Sequence, residues 1–155
     1  RHRDGLVLFV GATGSGKTTG MASLLTAVVA EGRKVVSLED PVEYHVPGAV
    51  QIERNGAALN GELIAAALRQ DPDVLAFGEL RRGDQARHIR HAILSGHLVV
   101  AGVRAAGVDG AVDRLFELGI PAAVLRRVCR AACAQSLVGD PPRLVAAVKE
   151  EPWKR

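Results

Sequence analysis

The segment Gly11-Ala12-Thr13-Gly14-Ser15-Gly16-Lys17-Thr18 satisfies G-x-x-x-x-G-K-[ST] in full. It constrains the fold more than any other stretch, because the motif works only between a buried strand and the first turn of a helix. Both flanks agree. Leu6 to Val10 is a continuous apolar run, as expected for a strand covered on both faces. Thr18 to Glu31 carries Met21, Leu24, Leu25, Val28 and Val29 at helical spacing, with Gly32 as the stop. The glycines let backbone N–H groups curl around an oxyanion, and the helix N-terminus adds partial positive charge. Gly11 to Thr18, with Thr19 beside them, are therefore the candidate nucleotide-binding residues. Lys17 is expected on the β- and γ-phosphates and the Thr18 hydroxyl on Mg²⁺.

The rest of the chain alternates strand-length and helix-length segments. Lys34 to Leu38, Val74 to Phe77 and Leu98 to Val103 read as further strands. Glu62 to Arg69 and Gln85 to Leu94 read as helices, and residues 44–57 as irregular or edge-strand structure. Two helices are expected over 109–118 and 121–137, with Pro121 at a first turn, and a last short helix over Leu144 to Lys149. On the second of these helices Cys129 and Cys133, four apart, would share one face. This order predicts an α/β fold with a mainly parallel sheet flanked by helices, in one domain over residues 1–155.

Hydrolysis requires acids as well as a phosphate loop. Glu39-Asp40-Pro41-Val42-Glu43 follows the second strand, and Glu79 follows Val74 to Phe77; either site could hold the Mg²⁺ shell or orient a water. Turn or capping roles are equally open to these acids on spacing alone. Net charge is +3, and the aromatic residues are three Phe, one Tyr and one Trp, too few for a surface built on base stacking. The basic cluster Arg82, Arg87, His88, Arg90 and His91 reads as a solvated or inter-subunit helix face. No uninterrupted apolar run reaches the ~18 residues of a membrane span.

Taken together these segments resemble the secretion ATPase family, the hexameric motors of type II secretion and type IV pilus assembly. "GLVLFVGATGSGKTTG" is similar to its Walker A segment and "SLEDPVEYHVPGAVQIE" to its Asp box. "LRQDPDVLAFGELR" is similar to its Walker B, and "SGHLVV" to the start of its His box. The resemblance implies a RecA-like P-loop NTPase fold with ATP and Mg²⁺ as ligands. It makes Glu43 the catalytic glutamate, Glu79 the Walker B acid acting on Mg²⁺ through water, and His97 the retained His-box residue. It also implies that the chain corresponds to the C-terminal ATPase half, with an N-terminal domain outside it. Such a half works in a hexameric ring of copies of itself, in the cytoplasm, against the inner-membrane platform of a pilus or secretion system.

The chain departs from that pattern at several positions. The family's Gly-Glu-Ile-Arg-Asp reads Gly78-Glu79-Leu80-Arg81-Arg82, and Leu-Ser-Thr-Leu-His-Thr reads Val100-Ala101-Gly102-Val103-Arg104-Ala105. Near the end, Gln-Arg-Leu reads Gln135-Ser136-Leu137. Arg104 is thereby a candidate phosphate sensor, since guanidinium suits phosphoryl charge. Two rival functions remain: a nucleotide-binding regulatory or structural subunit with weak or lost hydrolysis, and a nucleic-acid-handling RecA-like motor.

Overall fold

The computed structural model describes residues 4–54, 61–81, 83–139 and 143–150. Strand β1 (Gly5–Val10) leads through the glycine loop into helix α1 (Lys17–Ala30), followed by β2 (Val35–Glu39) and β3 (Val50–Glu53). Then come α2 (Gly61–Leu68), β4 (Val74–Phe77), α3 (Gly83–Leu94) and β5 (Leu98–Val103). The chain continues through α4 (Val108–Glu117), α5 (Ala122–Val128), β6 (Cys129–Val138) and β7 (Arg143–Glu150).

The strands form one seven-stranded sheet in the order β3-β2-β4-β5-β1-β6-β7. Its pairings are parallel except for β6 with β7. Strands β2, β4 and β5 are buried along their whole length, which is why β4 and β5 lack polar side chains rather than alternating; in β2 the buried Ser37 and Glu39 hydrogen-bond each other. Leu6, Leu8 and Val10 face a core shared with Ile64, Ile89, Leu115 and Leu125 from α2, α3, α4 and α5. Phe9, Val35, Val74 and Val100 face the other way, against Met21, Leu25 and Val28 of α1. The expected edge strand within 44–57 is β3; residues 55–57 lie outside the described residues. Among the described residues no helix is long and apolar enough to cross a membrane.

One expected helix is cut short and another is replaced by a strand. The stretch 121–137 is helical only as far as Val128, and 129–138 is a strand; Leu144 to Lys149 lies in strand β7. Alanine-rich local preference is overridden by the needs of the sheet. β1 pairs with β5 on one side only, so its backbone groups on the other side need a partner, and β6 supplies it. β7 then folds back antiparallel on β6, after a turn with Gly139 at φ 86.

The same change separates the cysteines. The register of β6 on β1 slips between Leu6, opposite Cys129, and Val7, opposite Ala131, so Arg130 is an extra residue. Cys129 therefore enters the core under α5, and Cys133 packs on the α1 side with Phe9. They share no face. Burial pushes the Cys129 thiol up to about 12, and raises that of the less buried Cys133 as well. With a maleimide under native conditions, intact mass should show Cys133 modified well ahead of Cys129, and mild oxidation should give no internal disulfide.

Candidate functional site

Parallel strands aligned in register end at one edge, and loops leaving that edge meet. Val10 lies opposite Val103, Phe77 opposite Ala101, and Leu38 opposite Phe77. The glycine loop after β1, Glu39-Asp40 after β2, Gly78-Glu79 after β4 and Arg104 after β5 therefore emerge together. They line a cavity of about 500 Å³, a size suited to a small-molecule ligand.

The loop is shaped by its glycines. Gly14 (φ 76) and Gly16 (φ 87) occupy the left-handed region, the conformation the loop needs to turn tightly into the start of α1. Gly11 leaves no room for a side chain, since a Cβ would collide with Ser15 Oγ and the Gln135 carbonyl. Lys17 Nζ folds back onto the loop, donating to Gly11 O (2.9 Å) and Ala12 O (2.6 Å). Burial holds its ammonium below the ordinary lysine value; Glu79 and Glu43 oppose that effect and Arg104 adds to it. Ser15 Oγ is buried without a hydrogen-bond partner. A cation hydrogen-bonded to loop carbonyls, beside an unpartnered buried hydroxyl at a helix N-terminus, fits a phosphate chain.

Charge around the cavity is mixed. Lys17, Arg54, Arg81 and Arg104 face Glu39, Asp40, Glu43 and Glu79. Thr18 lines the same space, so a hydroxyl and carboxylates are available to a Mg²⁺ shell, and cations to phosphates. Arg54 pairs with Asp40 at 3.5 Å. Glu79 is paired twice, by Arg81 at 2.8 Å and by Arg104 at 3.2 Å.

The loop that presents Glu43 is braced from two sides. Glu39 is buried and accepts from Ser37 Oγ (2.6 Å) and Gln51 Nε2 (3.1 Å). The same Gln51 amide donates to Tyr44 O (2.9 Å) and accepts from Val46 N–H (2.8 Å). Tyr44 OH meets Thr19 Oγ1 at 3.0 Å, tying this loop to α1.

Of the residues expected from sequence, Thr13, Gly14, Gly16, Lys17, Thr18, Thr19, Glu43, Glu79 and Arg104 line the cavity, while Gly11 and Ser15 lie buried behind it. Ala12 contributes its carbonyl to Lys17. His97 does not come to the site. It precedes β5, whereas Arg104 follows it, and six strand residues put ~20 Å between them. His97 instead sets its Nδ1 at 3.0 Å from Ala92 O, and its own carbonyl accepts from Gly5 N–H at 3.1 Å. Tyr44, Arg54 and Arg81 also line the cavity and Gln51 braces its rim, although none of the four carries a signal of its own in the sequence. On the far side of the domain, Arg87, His88, Arg90 and His91 line a separate groove against α2, floored by Ile64, Leu68 and Leu94; Arg82 lies outside the described residues.

A parallel sheet with a glycine loop on its first strand, and acids at two neighbouring strand ends, defines a RecA-like P-loop NTPase domain. The profile of the family described as "Type II/IV secretion system protein" matches residues 1–150, and the chain belongs to that family. Among relatives, Competence protein ComGA of Halalkalibacterium halodurans is 42% identical over 138 residues, covering 87% of this chain and 40% of the relative. Type II secretion system protein E of Pseudomonas aeruginosa is 35% identical over 156 residues, covering 99% of this chain and 30% of the relative. The chain thus spans well under half the length of either. Among solved structures, the Legionella pneumophila ATPase DotB superposes with a TM-score of 0.79 at 28% identity, covering 96% of this chain and 45% of that one. The pilus retraction motor PilT with bound ADP gives 0.81 at 26%, covering 95% and 47%.

The close packing of two strand ends carries a direct test. A Cβ at Gly102 would collide with the Gly78 carbonyl oxygen, and Leu80 N–H donates to Gly102 O at 2.9 Å. Gly102→Ala should therefore cost about 1–3 kcal/mol and lower the thermal midpoint by several degrees, since backbone rather than a flexible side chain must give way.

Proposed function

We propose that the chain binds Mg-ATP and hydrolyses it, as the motor domain of a machine for type IV pilus assembly or type II secretion. The observation that carries this reading is the gathering of Lys17 and Thr18 with Glu43 and Glu79, from three separate strand ends, around one cavity. Lys17 leaves the loop carbonyls for the β- and γ-phosphates, and Thr18 and Glu79 would hold Mg²⁺, Thr18 by its hydroxyl and Glu79 through water. Mg²⁺ when bound would neutralise phosphate charge. Glu43 orients a water on the γ-phosphorus and takes its proton, as a P–O bond forms and the bond to the β,γ-bridging oxygen breaks. Arg104 stands at the strand end where γ-phosphate charge is sensed. Relatives named for secretion, competence and pilus retraction support a ring of copies at an inner-membrane platform, on the cytoplasmic side.

Steady-state phosphate release tests the chemistry. Glu43→Gln should lower turnover ~10²-fold or more with nucleotide affinity kept, because a proton acceptor is lost but no phosphate contact. Lys17→Ala should weaken ATP binding itself. A Glu43→Gln rate equal to the parent's sinks the assignment, and turnover absent in the parent with binding intact favours the regulatory-subunit alternative. The lysine also sets a pH dependence. Its ammonium is held below the ordinary value, so ATP affinity should be full at lower pH and fall, as pH rises, earlier than an unperturbed lysine would allow. The check is ATP titration across alkaline pH, in which Lys17→Ala removes the dependence.

A further inference from the structure

Both oxygens of the Glu79 carboxylate are occupied by guanidinium groups. Oε2 accepts from Arg81 Nε and lies 2.8 Å from Arg81 Nη2, two residues along the same turn. Oε1 lies 3.2 Å from Arg104 Nε, at the end of β5. The second pairing depends on Gly102, whose missing side chain lets Gly78 close on β5 and bring Glu79 beside Arg104. These are two of the positions where the chain departs from the family pattern, and the structure couples them: the bare backbone at Gly102 makes the ion pair of Arg104 geometrically accessible.

We propose that Arg104 exchanges partners, held by Glu79 when the γ-phosphate is absent and transferred to the γ-phosphate when a nucleoside triphosphate binds. It would thereby determine the preference of the site for tri- over diphosphate. This rests on the nucleotide-binding reading above. The pairing with Arg104 is the one that yields: it is a single contact at 3.2 Å, whereas Arg81 makes two at 2.8 Å from the same turn. Lys17 lies within electrostatic reach of both Glu79 and Arg104, so phosphates drawn to Lys17 arrive beside the guanidinium. A γ-phosphate offers Arg104 a fork of oxygens in place of one carboxylate oxygen. A diphosphate offers no such replacement, and a ligand shifts an equilibrium only by its differential affinity for the two states. Transfer also frees Glu79 Oε1 for the water shell of Mg²⁺.

The test is equilibrium binding, with Mg²⁺, of ADP and of the β,γ-imido analogue of ATP. Arg104→Ala should weaken the analogue about tenfold while leaving ADP unchanged or slightly tighter, so that the preference ratio collapses. In a Glu79→Gln background, where the carboxylate competitor is gone, removing Arg104 should still weaken the analogue but no longer tighten ADP. Equal losses for both nucleotides, or no change in either, overturn the partner exchange. The exposed position of Arg104 makes a folding defect easy to separate, since the thermal midpoint should hardly move. Lys17→Ala distinguishes the two levels of failure. If it keeps parent affinity for both nucleotides, the site reading itself fails; if it loses both while Arg104→Ala leaves the ratio intact, only the exchange fails.

Discussion

The in-register parallel pairing of β1 with β5, and of β4 with β5 and β2, is the constraint on which the site depends. No two of the principal side chains from different strand ends are near in sequence: Lys17, Glu43, Glu79 and Arg104 leave four different strand ends. They meet because the strands run the same way and stop at nearly the same level. The close approach of backbones at Gly11 and Gly102 tightens that edge, bringing β6 against the phosphate loop and the β4 turn against β5. A one-residue slip in any of these pairings would move an acid or a cation ~3.3 Å along the edge, enough to break contacts between strand ends such as Arg104 with Glu79.

At that edge the cavity is lined by charges of both signs. The protein's own groups satisfy one another there: Lys17 on loop carbonyls, Arg54 on Asp40, Glu79 on Arg81 and Arg104. Each such contact has to be given up, or shared, when phosphates and a divalent cation arrive. The resting arrangement thus sets what a ligand must offer, and a ligand lacking one of those groups leaves the corresponding internal pair in place. The Glu43 loop is handled differently. Buried Glu39 and the two-ended Gln51 amide hold its frame through bonds made among β2, β3 and the loop itself, none of them to the phosphate-loop residues.

The phosphate loop, its flanking strand and helix, and the doubly covered strands were legible from the chain itself, because each is written in local chemistry. Glycines, a lysine and a hydroxyl at fixed offsets, and apolar runs of strand length need no distant partner to be recognised. Glu79 and Glu43 were visible for the same reason, as acids closing apolar runs or following them. Three features were decided only by tertiary structure. Residues 129–138 and 143–150 are strands because β1 has an open edge and β6 then has one, a demand that Ala-rich segments do not announce. Cys129 and Cys133 part company because one extra residue, Arg130, slips the register. His97 and Arg104 sit at opposite ends of β5, so only the second reaches the cavity, although a shared motif had grouped them. Backbone hydrogen bonding between distant segments has no local signature, and it is this pairing that assigns each side chain its face and its edge.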